Sequence, residues 1–236
     1  FEKFFADKKI GAFTDTFEDL HGLKQLPGLA SQEMMSKGIG FGPEGDYKTS
    51  ALMAVLCNMA EGREGSTAFL EDYTYDLTEG EELELASHML EVSPVFAASK
   101  PKIQVHPLGI GGKANPARLV FDGIQGKGIA VSMVDMGTHF RLICADIELT
   151  KQPEEMPKLP VARVMWRAMP DLETGIECWI TAGGAHHTVL SYDVTAEQMK
   201  DWANMMDIEF VHITKDTTVD ALERELFLND LAWKLR

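Results

Sequence analysis

Glu71-Asp-Tyr-Thr-Tyr-Asp-Leu77, then Thr78-Glu-Gly-Glu81, then Glu82-Leu-Glu-Leu-Ala-Ser-His-Met-Leu-Glu-Val92 is the stretch on which the fold turns. Tyr73 and Tyr75 alternate with polar residues, as in a half-buried strand, and the residues after the Gly80 turn read as its return partner. Further short strands are expected at Ile103–Leu108, Ala117–Phe121, Gly128–Asp135, His139–Leu149, Val161–Arg167 and Glu177–Ala182. Gly111–Pro116, Asp122-Gly123 and Gln125–Gly128 break them. Many short strands at such spacing suggest a closed or nearly closed antiparallel barrel.

Outward from that stretch the character changes. Residues 1–67 read as α/β material, and residues 68–236 as the barrel domain. Gly28–Gly38 looks like a short helix with Gly38 just past its end. After a glycine-rich turn, Gly38–Gly42, a helix is expected from near Pro43, with Glu44 and Asp46 at its positive end. Leu52, Val55, Leu56 and Met59 repeat at helical spacing, and Gly62 and Gly65 would end the helix. Pro-rich Lys151–Pro160 reads as an extended connector. Thr195-Ala-Glu-Gln198 is a capping box opening a helix to about Met206, Ile208–Ile213 reads as a strand, and a last helix starts at Thr217 or Thr218.

Composition narrows the function. A formal net charge of −15 repels phosphate backbones and argues against a nucleic-acid partner. No apolar run approaches the roughly 18 residues of a membrane span. Cys57, Cys144 and Cys178, odd in number and without a C-x-x-C, fit buried thiols in a reducing cytoplasm. The chain opens Phe1-Glu-Lys-Phe-Phe, without Met, and Phe1 reads as an internal position of a longer chain.

Chemistry concentrates in three places. Pairing Leu77 with Glu82 across the turn sets Glu71 opposite His88, with Cβ atoms about 4.5–5.5 Å apart, so one ion can take both. Leu83 and Leu85 then face away from His88. Glu44, at the expected helix start, suits an ionised ligand, although an ordinary N-terminal acid fits as well and Lys48 can pair with it. In Ala182-Gly-Gly-Ala-His-His-Thr188, small residues precede His186 and His187. On a strand successive side chains alternate, so at most one of the pair faces a given site. Two carboxylates and two imidazoles suit a hard or borderline divalent cation, hence oxygen-rich substrates. The Gly109-Ile-Gly-Gly112 loop lacks dinucleotide spacing, and no Ser-His-Asp or Cys-His arrangement stands out.

Several stretches together resemble the L-arabinose isomerase family: Gly11–Phe17, Gly40–Lys48, Phe69–Tyr75, Ser87–Glu91, Leu108–Lys113, Pro116–Phe121 and Ala182–Val189. They run in the family's order from one end of the chain to the other. The resemblance implies an α+β fold, the end of a central α/β (Rossmann-like) domain followed by a C-terminal antiparallel β-barrel with flanking helices. It implies Mn²⁺, with Co²⁺ as a substitute, held by Glu44, Glu71, His88 and His187. It implies contact of Phe17, Tyr73 and Ile110 with a sugar, and Glu44 and Glu71 are expected to serve as base and acid as well as ligands. The implied reaction is L-arabinose to L-ribulose, with D-galactose as a side substrate, in a homo-oligomer whose active site lies between subunits. Family chains carry a further N-terminal α/β domain and an earlier part of the central domain. An isomerase with another sugar preference, such as L-fucose, and a silent assembly fragment are the competing readings.

Overall fold

The computed structural model of the chain describes residues 1–60 and 66–236; the expected helix end at Gly62 and Gly65 lies outside the described residues. The first part holds helix α1 (Glu2–Lys8), strand β1 (Ala12–Thr14), helix α2 (Gly28–Ser36), strand β2 (Gly40–Gly42) and helix α3 (Tyr47–Met59). β1 and β2 pair in parallel. Of the expected turn Gly38–Gly42, Gly38 does turn the chain just past α2, at φ 80°, while Gly40–Gly42 is a strand. A Cβ on Gly40 would lie 2.1 Å from the Ser50 carbonyl oxygen, and one on Gly42 would lie 2.3 Å from that of Asp46. These glycines let β2 run against the backbone of α3.

α3 starts four residues later than Pro43. Asp46 is its N-cap, accepting from the Thr49 backbone N–H at 2.9 Å and the Thr49 hydroxyl at 2.6 Å. Glu44 stands ahead of the helix in a left-handed turn, φ 61°, followed by Gly45 at φ 81°. The carboxylate that feels the helix end most directly is thus Asp46.

The remainder is built on strands β3 (Thr67–Asp76), β4 (Leu83–Ser87), β5 (Lys102–Val105), β6 (Ala117–Val120), β7 (Gly126–Asp135), β8 (Phe140–Thr150) and β9 (Val164–Ala168). Helix α4 (Leu172–Thr181), strand β10 (His187–Ser191), helix α5 (Ala196–Met205), strand β11 (Glu209–Ile213) and helix α6 (Val219–Lys234) complete it. The order β8-β7-β10-β3-β4-β9 returns to β8, closing a six-stranded antiparallel barrel. β11 adds in parallel beside the first half of β8, and β5 and β6 form a separate hairpin.

Alternation along the strands separates a lumenal cluster from the largest outer one. Ala68, Leu70, Ala130, Ile147, Trp166 and Leu190 cluster in the lumen, with Phe96 and Phe121 beside them. Phe69, Val131, Val189, Leu142 and Cys144 face outward and are covered by Phe41, Leu52, Met53 and Leu56 from β2 and α3, and by Met199 and Ala203 from α5. The α/β part thus docks on the outer wall of the barrel. Gln32 on α2 ties the two: its amide donates to the Val92 and Leu119 carbonyls at 3.0 and 3.2 Å and accepts from the Leu119 N–H at 2.7 Å.

Two further expectations fail for identifiable reasons. Glu177–Ala182 belongs mostly to α4 and is not a strand. Asp171 caps that helix through Thr174, and Leu172, Gly175 and Cys178 are buried at helical spacing. The local cap and the burial outweigh the strand character of Cys178-Trp-Ile-Thr181. The β3–β4 register also shifts. Asp76 faces Leu83 and Thr74 faces Leu85, as the four-residue turn demands, but a bulge between Asp72 and Thr74 moves the pairing by one. Glu71 therefore faces Ser87, not His88. Leu83 and Leu85 join Met165 in a cluster covered by Tyr73 and by Met156 and Leu159 of the Pro-rich connector, so their outward direction is accounted for.

Candidate functional site

The site forms where the outer wall of the barrel meets the α3 entry. On one side of Glu71 is Ser87 of β4; on the other, directly opposite, is His187 of β10. His187 Nε2 lies 3.6 Å from Glu71 Oε2 and 3.8 Å from Glu44 Oε2. His88, just past the end of β4, points its Nε2 at the same Glu71 oxygen from 4.0 Å. His186 precedes β10, so strand alternation does not separate the doublet; its exposed ring also reaches 4.0 Å from Glu71.

Each buried imidazole is held from behind by a carboxylate. His187 Nδ1 lies 2.9 Å from Asp46 Oδ2, and His88 Nδ1 lies 2.6 Å from Glu91 Oε2. Phe69 packs edge-on against both rings, with centroids 5.2 and 5.1 Å away. These contacts fix ring direction, and the Nε2 atoms of His88 and His187 are left buried with no hydrogen-bond partner. Buried polar atoms without partners are rare and call for one.

Electrostatics bind the groups together. Burial pushes the Glu71 carboxyl up, but the adjacent His187 and the charges of the other imidazoles outweigh it and hold it below the usual range. Burial also opposes the charged form of His187, yet Asp46 and Glu71 raise it to about 9. For His88 burial is likewise outweighed, chiefly by Glu91, and the net direction is upward. Asp46, pushed up by burial, is held well below the usual carboxylate range by His187 and Thr49.

The residues suit a divalent cation. Ligands about 2.0–2.2 Å from one ion stand at most about 4.4 Å apart, and the Glu71, Glu44, His88 and His187 separations of 3.6, 3.8 and 4.0 Å fall within that span. They form two overlapping sets that share His187: Glu71, His88 and His187, and Glu44, His186 and His187. A carboxylate behind each imidazole is the arrangement that orients metal-binding histidines.

Of the three expected sugar contacts, Tyr73 stands two residues along β3 from Glu71, and Phe17 and Ile110 lie in loops. Tyr73 is the bulge residue; burial, then the charges of Glu71 and Glu91, push its hydroxyl upward. A Cβ on Gly111 would lie 2.6 Å from the Phe17 carbonyl oxygen, so Ile110 and Phe17 belong to touching loops. Lys113 ties those loops by donating to the Leu20 and Leu23 carbonyls at 2.8 and 3.1 Å. Asp46 and Glu91 received no role from the sequence. Their signals were Asp46 three residues before Thr49, a helix-cap spacing, and Glu91 three residues after His88. Asp15, pushed up to about 7 by burial and then by Glu91, is a further acid of this neighbourhood.

Fold and site define a class: an α+β protein whose barrel wall and docked α/β part together present a carboxylate–imidazole pocket suited to a divalent cation. The comparisons then name the family. A model of the L-arabinose isomerase C-terminal domain matches residues 66–209, and one of the L-arabinose isomerase central domain matches residues 1–62. The chain belongs to the L-arabinose isomerase family. It is 55% identical over 235 residues to L-arabinose isomerase 1 of Bacillus licheniformis, covering 100% of this chain and 47% of that one. It is 52% identical over 233 residues to the L-arabinose isomerase of Geobacillus stearothermophilus, covering 99% and 47%. To that of Bacillus subtilis it is 54% identical over 225 residues, covering 95% and 45%. The chain thus spans about half the length of the curated relatives it matches.

Proposed function

We propose that this chain carries the cation-holding and proton-transferring part of an aldose–ketose isomerase that converts L-arabinose to L-ribulose. The observation that supports this reading most is the approach of the partnerless Nε2 atoms of His88 and His187 to one carboxylate oxygen of Glu71. Glu44, Glu71, His88 and His187 would hold the ion, and their mixed oxygen and nitrogen donors suit Mn²⁺, with Co²⁺ as a substitute. Bound there, the ion supplies Lewis-acid stabilisation of the negative charge that develops on neighbouring substrate oxygens.

The chain's own residues manage the protons. One of the two glutamates, Glu44 or Glu71, takes the C2 proton of the open-chain aldose while the other gives a proton to O1, leaving a cis-enediol. The O2 proton then departs and a proton returns to C1, giving the ketose. Positioned carboxylates of this kind contribute about 10²–10⁴-fold. Asp46 and Glu91 keep the two imidazoles aimed. Phe17, Tyr73 and Ile110 would flank the sugar and exclude water, and D-galactose would undergo the same change at its C1 and C2.

Glu44 and His186 keep 39% and 64% of their side chains exposed, so the pocket is open on one side, as a site completed by a second copy in a homo-oligomer would be. The three unpaired cysteines fit a reducing cytoplasm. Among the described residues no helix is long and apolar enough to cross a membrane. The test uses the full-length protein containing this chain. With L-arabinose and Mn²⁺ it should form L-ribulose, and Glu71→Gln and Glu44→Gln should each lose about 100-fold or more in turnover. Full turnover in both variants, with the ion still bound, would contradict the reading.

A further inference from the structure

The barrel lumen is not filled throughout. At the end covered by α4 it holds a cavity of about 230 Å³, room for several waters, that opens to the surface past Tyr75, Ile180 and His186. Ala130, Ile147 and Trp166 of the lumen cluster form part of its wall. It lies behind the metal centre: Asp72 and Thr188 line it, and their strand neighbours Glu71 and His187 face the other way.

Its polar lining is one-sided. Among the described residues that line it there is no Lys or Arg, while Asp72 and Glu84 both do. Glu84 is only 8% exposed, and burial, then the nearby Asp72 charge, push its carboxyl up to about 8. Neither acid has an ion-pair partner among the salt bridges of the described residues. Asp72 Oδ1 is buried without any hydrogen-bond partner.

The side-chain donors on the wall are already committed. The Tyr75 hydroxyl donates to Asp72. The Trp166 indole N–H lies close enough to Glu84 to favour its charged form. Trp179 Nε1 donates to the Ala185 carbonyl at 3.0 Å, and the Thr188 hydroxyl donates to that of Leu70 at 3.1 Å. Apart from His186 at the rim, the cavity offers side-chain acceptors, negative charge and aromatic rings. A polyol or an anion would leave its own acceptors unmet there. A cation with several N–H donors and an apolar tail meets these requirements, since indole faces attract cations and Glu84, which holds its proton up to about 8 when the cavity has no cation, can release it to leave two carboxylates facing the bound charge.

We propose that this cavity is a binding site for a small primary ammonium ion, with Asp72 and Glu84 as acceptors and Trp166 and Trp179 as its aromatic walls. The net charge of −15 favours accumulation of such cations near the protein. Its two acids lie outside the Glu71, His88 and His187 set, with His186 standing between the two places, and the proposal does not depend on the isomerase reading.

The test is calorimetric titration of the metal-free chain with propylammonium chloride, followed in parallel by tryptophan fluorescence. Saturable binding is expected, with a fluorescence change from Trp166 and Trp179. 1-Propanol and sodium chloride at the same concentrations should give neither. Glu84→Gln should weaken propylammonium by roughly thirtyfold or more, whereas Glu71→Gln should leave it unchanged. Absence of saturable binding, equal binding of propanol or sodium, or loss in Glu71→Gln without loss in Glu84→Gln would each overturn the proposal. Should Glu84→Gln fail to fold, Asp72→Asn and the charge comparison in the unmodified chain decide.

Discussion

His187 faces Glu71 across an antiparallel strand pair, with its Nε2 3.6 Å from the Glu71 Oε2 and its Nδ1 2.9 Å from Asp46. One imidazole therefore joins three parts of the fold: β3, β10 and the start of α3. The pocket exists only when the α/β part is docked on the barrel.

Asp46 has two duties that can be separated. Asp46→Ala should destabilise the chain by about 1–2 kcal/mol through loss of the α3 cap, and should weaken Mn²⁺ about 10–100-fold by freeing His187. Asp46→Ser keeps a capping hydroxyl and loses the carboxylate behind the ring. It should recover most of the stability and none of the metal affinity, as read by urea unfolding and by metal titration. Equal recovery of both would show that Asp46 acts on the metal only through helix stability.

Glu84 gives a pH signature in the absence of added amine. Its folded-state carboxyl is raised from 4.5 to about 8, so between those values the folded chain binds more protons than the unfolded one. The stability of the native sequence should therefore fall as pH rises through that window. Glu84→Gln removes the titration, so the variant should gain on the native protein by a few kcal/mol, order of magnitude, as pH rises, then level off above about 8. A pH-independent difference in unfolding free energy would contradict the burial argument.

Gly42 is required by the backbone and not by a ligand. In Gly42→Ala the new Cβ would lie 2.3 Å from the Asp46 carbonyl oxygen, forcing β2 away from α3. The expected cost is about 1–3 kcal/mol, with loss of Mn²⁺ affinity because Glu44 and Asp46 move together. Gly45→Ala, whose Cβ would meet nothing within 4 Å but whose φ is +81°, should cost about 1 kcal/mol from backbone strain alone. Thermal unfolding of the two variants would rank them; a smaller loss for Gly42→Ala would be inconsistent with close packing of β2 on α3.

Most of the barrel was legible because its strands carry period-two patterns between glycine turns, and these survive without knowledge of the partners; β10 was not among the expected strands, and the expected strands at 103–108 and 117–121 pair with each other outside the barrel. What was not legible depended on contacts far along the chain. The Tyr73 bulge shifts the pairing by one between Asp72 and Thr74, so a register extrapolated from the turn holds through Thr74 and fails at Glu71. His88 still reaches Glu71 because the chain leaves the strand after Ser87. Trp179 and Ile180 looked like strand residues, but the Asp171 cap and the buried face of Leu172, Gly175 and Cys178 form a helix. Glu44, Glu71, His88 and His187 were singled out by residue type and by family resemblance, and the structure brings them within reach of one another. Asp46 and Glu91 were not, because a carboxylate behind an imidazole is defined by the folded geometry.

The most direct measurement is calorimetric titration of the metal-free 236-residue chain with Mn²⁺. One site per chain is expected, weakened by about 100-fold or more in His88→Ala and in His187→Ala. His139→Ala should bind normally, because His139 is engaged with Glu209 beside Arg141 on another face of the barrel. Mn²⁺ binding unchanged in both His88→Ala and His187→Ala, or no binding to the native chain, would contradict the account.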